Sequence, residues 1–293
     1  MRVLIIGCGY VGLPLAKELI CQGHEVYGLC RSASDILAGS GVISVPADIT
    51  KPETLGKIQH HFDWVVNCAA SGGGTEEDYR QLYFEGNRNL ISWLRKSSIK
   101  KFIYTSSTSV YGQNDGSIVT EESPAQPEAP TARILAQTEA ILLAAAQTGF
   151  PAVILRVAGI YGPGRGHSFK QFLKGEARIE GDGLRHFNMI HRDDLIGVII
   201  AALERGKSGR IYNAVDNEPV SQARFYEWLA KKLNRPLPPA APADLEISRK
   251  RGATNKRVSN ARLREELKYE FKLPDFRAGY AAEIARLNGP AAH

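Results

Sequence analysis

An α/β fold, a doubly wound parallel sheet with a small C-terminal lobe, is predicted by three observations. A short β-branched apolar run, Arg2 to Ile6, flows directly into Gly7, Gly9 and Gly12 in the order GxGxxG. Strand-like runs then alternate with helical segments as far as residue 156, the pattern of a parallel sheet covered on both faces. Beyond that point the chain loosens into YGPGRG and EGDG, which form turns rather than another regular repeat.

Each element follows from its residues. The run at 2–6 reads as a strand buried on both faces, and the next helix starts near Leu13 and Pro14. That helix carries Leu15, Leu19 and Ile20 on one stripe and stops at Gly23, a C-cap. Further strands are expected at 25–30, 42–45, 64–68, 102–106 and 152–156, with helices at 85–95 and 132–146. The Pro-, Glu-, Ser- and Gly-rich stretch 113–130 reads as a loop across the carboxyl edge of the sheet, and 244–257 reads as polar and mobile. Helices at 222–233 and 260–267 belong to the small lobe, and no internal repeat is visible. The boundaries are 1–156 for the larger unit, with 188–215 returning to it, and 157–187 with 216–293 for the lobe.

The glycine turn has a physical reading. Gly7 permits the bend, Gly9 lets backbone N–H groups approach a diphosphate, and Gly12 lets the helix lie close. The helix N-terminus supplies about half a positive charge. Strand, turn, helix and returning strand together make a Rossmann-type dinucleotide site. At the end of the second strand, where an acid accepts from the ribose of NAD, this chain has Cys30, Arg31 and Ser32. An arginine attracts a 2′-phosphate and an aspartate repels it, so the cofactor is read as NADP, with NAD less favoured.

Composition narrows the class. The 293 residues, 43% hydrophobic, can bury a full core. No apolar run approaches the roughly 20 residues of a membrane span, and the first strand starts at Arg2, so a cytoplasmic protein without membrane contact is expected. The net charge of +6 is dispersed, and its basic clusters lack the interleaved aromatics of nucleic-acid binders. Cys8, Cys21, Cys30 and Cys68 show no ligand-like spacing and read as reduced thiols. His60 and His61 are adjacent and point apart, so no metal site is expected.

At the carboxyl end of the fifth strand the chain reads YTSSTSVYG, a hydroxyl cluster at the ligand edge of the sheet. Together with GCGYVG, VVNCAAS, YFEGNRNL, LRVAGIYGPGR, GDGLRHFNMIHRDDL and IYNAVDNEPVS, it resembles the extended short-chain dehydrogenase/reductases of the NAD-dependent epimerase/dehydratase family. The match is to an atypical subgroup lacking the YxxxK motif.

The resemblance implies hydride transfer assisted by an Asn–Ser–Tyr–Lys tetrad. Ser107 matches the serine, whereas Tyr83, Thr131 and Leu135 occupy the asparagine, tyrosine and lysine positions. Thr131 also reads as a helix cap and Leu135 as core. Tyr83, Tyr111, His167 and His191 are the candidate proton donors. Cofactor contacts are expected from Gly7, Cys8, Gly9, Tyr10, Val11, Gly12, Arg31, Ser32, Asp48, Ile49, Ala69, Ala70, Ser71 and Val157, and substrate contacts from Tyr111, Arg165 and His191. Gly159 and Phe187 stand where nucleotide-sugar enzymes carry Asn and Arg, while Arg165, Lys170, Arg185 and Arg192 leave cations for another anion. The expected function is an NADP-binding oxidoreductase or epimerase acting on a small carbonyl or hydroxyl substrate, anionic or sugar-like. The alternative is a non-catalytic NADP(H) sensor. A homodimer through the helices at 85–95 and 132–146 is the family's arrangement.

Overall fold

In the computed structural model, residues 1–31, 37–71, 74–242 and 254–288 are described. The expected contact of Ser32 and most of the 244–257 stretch lie outside them. The larger part of the chain runs β1 (Arg2–Ile6), α1 (Gly12–Cys21), β2 (Glu25–Cys30), β3 (Ile43–Pro46), α2 (Pro52–Leu55), β4 (Trp64–Asn67), α3 (Glu76–Tyr79), α4 (Gly86–Leu94), β5 (Lys101–Ser107), β6 (Ile118–Val119), α5 (Pro130–Gln147) and β7 (Ala152–Val157). It continues through β8 (Gly159–Tyr161), α6 (His167–Lys174), β9 (His186–Phe187), β10 (Met189–His191), α7 (Arg192–Arg205), β11 (Ile211–Ala214), β12 (Val220–Ser221), α8 (Gln222–Leu233), β13 (Arg257–Val258), α9 (Ala261–Leu267) and α10 (Phe276–Asn288).

Seven strands form the central sheet in the order β11-β7-β5-β4-β1-β2-β3, every neighbouring pair parallel. The order reverses between β1 and β4, and a crevice opens at the carboxyl ends of the strands there. One face is closed by a core containing Leu90, Leu94, Ile134 and Leu142 from α4 and α5. The other is closed by Leu15 and Leu19 of α1, Leu195 and Ile199 of α7, and Leu263 of α9. A third, aromatic cluster joins Phe169 and Phe172 of α6, Phe225 and Tyr226 of α8, and Phe276 and Tyr280 of α10.

Local chemistry sets the ends that shape the crevice. Helix α1 ends in a Schellman pair, His24 N–H to the Leu19 carbonyl at 3.0 Å and Gly23 N–H to the Ile20 carbonyl at 2.9 Å, with Gly23 at φ +81° as its sequence required. The helix expected at 85–95 begins earlier, because Thr75 and Asp78 form a reciprocal capping box that starts α3. A π-helical turn, Arg80–Glu85, links α3 to α4. Thr131 does not cap α5: Pro130 takes the first helical position, which makes Ala129 the cap residue.

Candidate active site

The glycine-rich turn is shaped by contacts that exclude side chains at two of its three glycines. Gly7 sits at φ +90°, and a Cβ there would lie 2.5 Å from Ala69 Cα. A Cβ on Gly12 would lie 2.2 Å from the Gly7 carbonyl oxygen. Gly9 differs, since a Cβ would meet nothing within 4 Å. Its surroundings are open, as a cradle for a ligand requires.

From this turn a cleft runs in both directions along the sheet edge. Its outer half, about 700 Å³, is lined by Gly7, Cys8, Arg31, Asp48, Ile49 and Ala69 to Ser71. Asp48 is held in place by lending Oδ1 to Thr50 N–H at 2.9 Å and to Thr50 Oγ1 at 2.8 Å. Arg31 is exposed at the rim and, among the described residues, has no acid partner. The inner half, about 520 Å³, shares Gly7, Cys8, Ala69 and Ala70 with the outer half and continues past Gly9, Tyr10 and Val11 to Tyr83, Ser107, Leu135, Val157 and Arg165. Gly12 lies beneath the turn and closes its floor.

Five hydroxyl residues line the inner half; Thr105 and Ser106 donate theirs to the Asn67 carbonyl and to Glu139, and Tyr10 keeps its oxygen buried, which leaves Ser107 and Tyr83 as the two of interest. Ser107 ends β5, buried, and its Oγ accepts from Ser109 N–H at 3.2 Å, which fixes the side chain at the sheet edge. Tyr83 comes from the π-helical turn, a distortion often found at functional sites. Its oxygen accepts the Ser71 N–H at 3.2 Å, and among the described residues its own proton has no acceptor. The turn is tied to the sheet: the Tyr83 carbonyl accepts from Asn87 Nδ2 at 2.7 Å, and Asn87 Oδ1 accepts from Asn67 Nδ2 at 3.1 Å. Leu135 presents an apolar surface to this space, and Thr131 does not line it.

Two expected substrate contacts are corrected. Tyr111 is fully buried; its phenol donates to Asn213 Oδ1 at 2.8 Å and its ring lies under the Arg156 guanidinium at 4.7 Å. His191 is fully buried too. Its Nδ1 accepts the Asp193 N–H at 3.1 Å, so its proton is on Nε2, which donates to Glu283 at 3.1 Å. Both side chains are consumed by packing and cannot reach the cleft. His167 is exposed at the start of α6 and does not line it either. Of the four cations considered for an anion, Arg192 is bonded to Asp193, Arg185 stacks on Phe187, Lys170 lies on α6, and Arg165 alone lines the cleft.

Beneath the site lies a buried ion pair that spacing alone does not reveal. Arg156 on β7 and Glu139 on α5 meet through two guanidinium nitrogens at 3.1 and 2.7 Å, and Ser106 Oγ donates to the same carboxylate at 2.6 Å. This network fixes α5, and with it Leu135, against β5 and β7. Burial pushes the Cys68 thiol up to about 12 and Cys8 and Cys30 upward as well, so these three stay protonated near neutral pH. Among the described residues, no cluster of side chains could hold a metal ion, and no helix is long and apolar enough to cross a membrane.

A parallel sheet with a glycine-cradled crevice at its switch point and a serine at the end of β5 defines a Rossmann-type protein of the extended short-chain dehydrogenase/reductase class. The model of the NAD-dependent epimerase/dehydratase family matches residues 3–214, and the chain belongs to that family. It is 29% identical to protein YeeZ of Escherichia coli over 94% of this chain and 97% of that one. It is 25% identical to a 3-diazoavenalumate denitrifying reductase of Streptomyces, covering 89% and 94%. Among solved structures, a candidate NAD-dependent epimerase/dehydratase of Methylobacillus flagellatus superposes with a TM-score of 0.78 at 34% identity, covering 98% and 99% of the two chains.

Proposed function

We propose that the protein is an NADP-dependent oxidoreductase or epimerase acting on a small carbonyl or hydroxyl compound. The observation that carries this reading is the continuous cleft itself: an open cradle at Gly9, an arginine at the outer rim with no acid partner among the described residues, and the Ser107 and Tyr83 hydroxyls at the inner end. The residues fit a nicotinamide dinucleotide. Gly7 to Val11 hold the diphosphate on backbone N–H groups, Asp48 and Ile49 flank the adenine side, and Arg31 takes the 2′-phosphate. The bound nicotinamide supplies a hydride donor or acceptor, the chemistry this family and its Streptomyces reductase relative suggest.

The chain's own residues handle the oxygen. Ser107, fixed by its cap, orients the substrate oxygen. Tyr83, its phenol oxygen anchored by the Ser71 N–H, delivers its proton to that oxygen as the carbonyl is reduced and recovers it in the reverse direction. In this reading the phenol comes from the π-helical turn and not from α5, where Thr131 occupies the position of the family's tyrosine. A homodimer through α4 and α5, the arrangement the family resemblance implies, would cover Ile91, Trp93 and Leu143, which the chain's own core buries only in part.

NADPH oxidation with a panel of aldehydes and ketones tests the reading. Ser107→Ala and Tyr83→Phe are each expected to lower turnover about a hundredfold or more while leaving NADPH binding within about twofold. Unchanged turnover in both variants contradicts it. One observation favours a second reading: Leu135 gives the inner half an apolar wall where the family has a lysine. Tight NADPH binding without turnover of any carbonyl, together with a partner protein that binds only in its presence, establishes a redox sensor instead.

A further inference from the structure

One wall of the inner half of the cleft comes from a segment that the glycine motif does not contain, through Gly159, Ile160 and Arg165. Gly162 and Arg165 exchange backbone hydrogen bonds, Gly162 N–H to Arg165 O at 3.2 Å and Arg165 N–H to Gly162 O at 2.9 Å, in a tight turn leading into α6. Gly162 is at φ +139°, and a Cβ there would lie 3.1 Å from Tyr10 Oη and 3.1 Å from His191 Nε2. The turn therefore rests directly on Tyr10, the one large side chain of the phosphate turn. Tyr10 Oη is itself buried without a hydrogen-bond partner among the described residues, so packing rather than bonding holds the ring.

Two guanidiniums lie over that ring, Arg165 at 5.0 Å and Arg192 at 5.3 Å from its centroid. They differ in charge state of their surroundings. Arg192 is matched by Asp193 at 2.9 Å, and the nearby Glu283 is matched by Arg286 at 2.6 Å. Arg165 has no carboxylate within ion-pair reach among the described residues, although it lines the same cavity as Gly7 to Val11. The phosphate turn brings no cationic side chain of its own, and α1 has no charged residue in its first turn. A dinucleotide diphosphate carries two negative charges, and the dipole of α1 offsets only about half of one.

We propose that Arg165, stacked on Tyr10, holds the cofactor diphosphate, so that the segment entering α6 sets dinucleotide affinity jointly with the glycine turn. The proposal rests on the reading that the cleft takes a nicotinamide dinucleotide. It separates two arginine roles: Arg31 chooses between the two dinucleotides, and Arg165 holds either one.

Calorimetric titration of the full chain with NADPH, NADH and 2′-AMP tests it. Arg165→Gln is expected to weaken NADPH and NADH alike, by about tenfold, and to leave 2′-AMP, which lacks the diphosphate bridge, unchanged. Arg165→Lys recovers most of the loss, and raising the salt concentration narrows the gap between the Gln variant and the unmodified chain. Dinucleotide affinities of Arg165→Gln within twofold of the unmodified chain overturn the proposal and return Arg165 to the substrate. An equal loss for 2′-AMP overturns it as well. If the unmodified chain itself binds neither dinucleotide, the reading of the cleft falls and takes this proposal with it.

Discussion

In the proposed function a single side chain, Arg31, chooses between the two dinucleotides. It follows β2, exposed on the outer rim of the cleft and unmatched by any acid among the described residues. A charge-assisted hydrogen bond contributes roughly 1.5–3 kcal/mol, so Arg31→Asp is expected to raise the NADPH dissociation constant at least about tenfold and leave NADH nearly unchanged. Fluorescence titration of both nucleotides checks this, and equal losses contradict it. Lys256 makes a different argument. It is 3% exposed, its ammonium donating to the Tyr111 carbonyl at 2.7 Å, and burial pulls it down from the ordinary 10.5 to about 8. Between those values the unfolded chain binds more protons than the folded one, so this group makes stability rise with pH. Relative to Lys256→Met, the unmodified chain is expected to gain about 2 kcal/mol between about pH 7.5 and about pH 9.5. Urea unfolding at the two values measures it, and a constant difference contradicts it.

At the scale of elements, the glycine turn separates two crowded glycines, Gly7 and Gly12, from Gly9, which faces open space and which the proposed function gives to the ligand. Gly12→Ala drives a Cβ into the Gly7 carbonyl and is expected to cost about 1–3 kcal/mol in thermal unfolding. Gly9→Ala meets open space and is expected to change stability by less than about 0.5 kcal/mol while weakening dinucleotide binding. A stable Gly12→Ala protein, or a Gly9→Ala protein that binds normally, contradicts the assignment. The turn was readable because its residues act on one another across five positions, and so was the Schellman end of α1. The start of α3 carried a readable signal, Thr75 followed by Asp78, hidden by the glycines before it. The pairs Arg156 with Glu139 and His191 with Glu283 were not readable. Their partners are 17 and 92 residues apart and meet only once the sheet and the lobe exist. For the same reason Tyr111 and His191, apt for chemistry by residue type, turned out to be packing residues. The π-helical turn, which carries Tyr83 to the cleft, has no period that a helical pattern could expose.

At the scale of the whole molecule, the sheet provides a rigid edge on which loops from distant parts of the chain converge. The glycine turn follows β1, Arg31 follows β2, Asp48 follows β3, Ala69 to Ser71 follow β4, Ser107 ends β5 and Val157 ends β7. That convergence follows from strand order alone, since all seven strands point the same way and the reversal between β1 and β4 opens the crevice. The aromatic cluster of α6, α8 and α10 then supports the turn that covers Tyr10. Titration of the unmodified chain with NADPH and NADH in a calorimeter tests this account most directly. One site per chain, at least about tenfold tighter for NADPH, is the predicted result; no heat with either nucleotide at about millimolar concentration would contradict it.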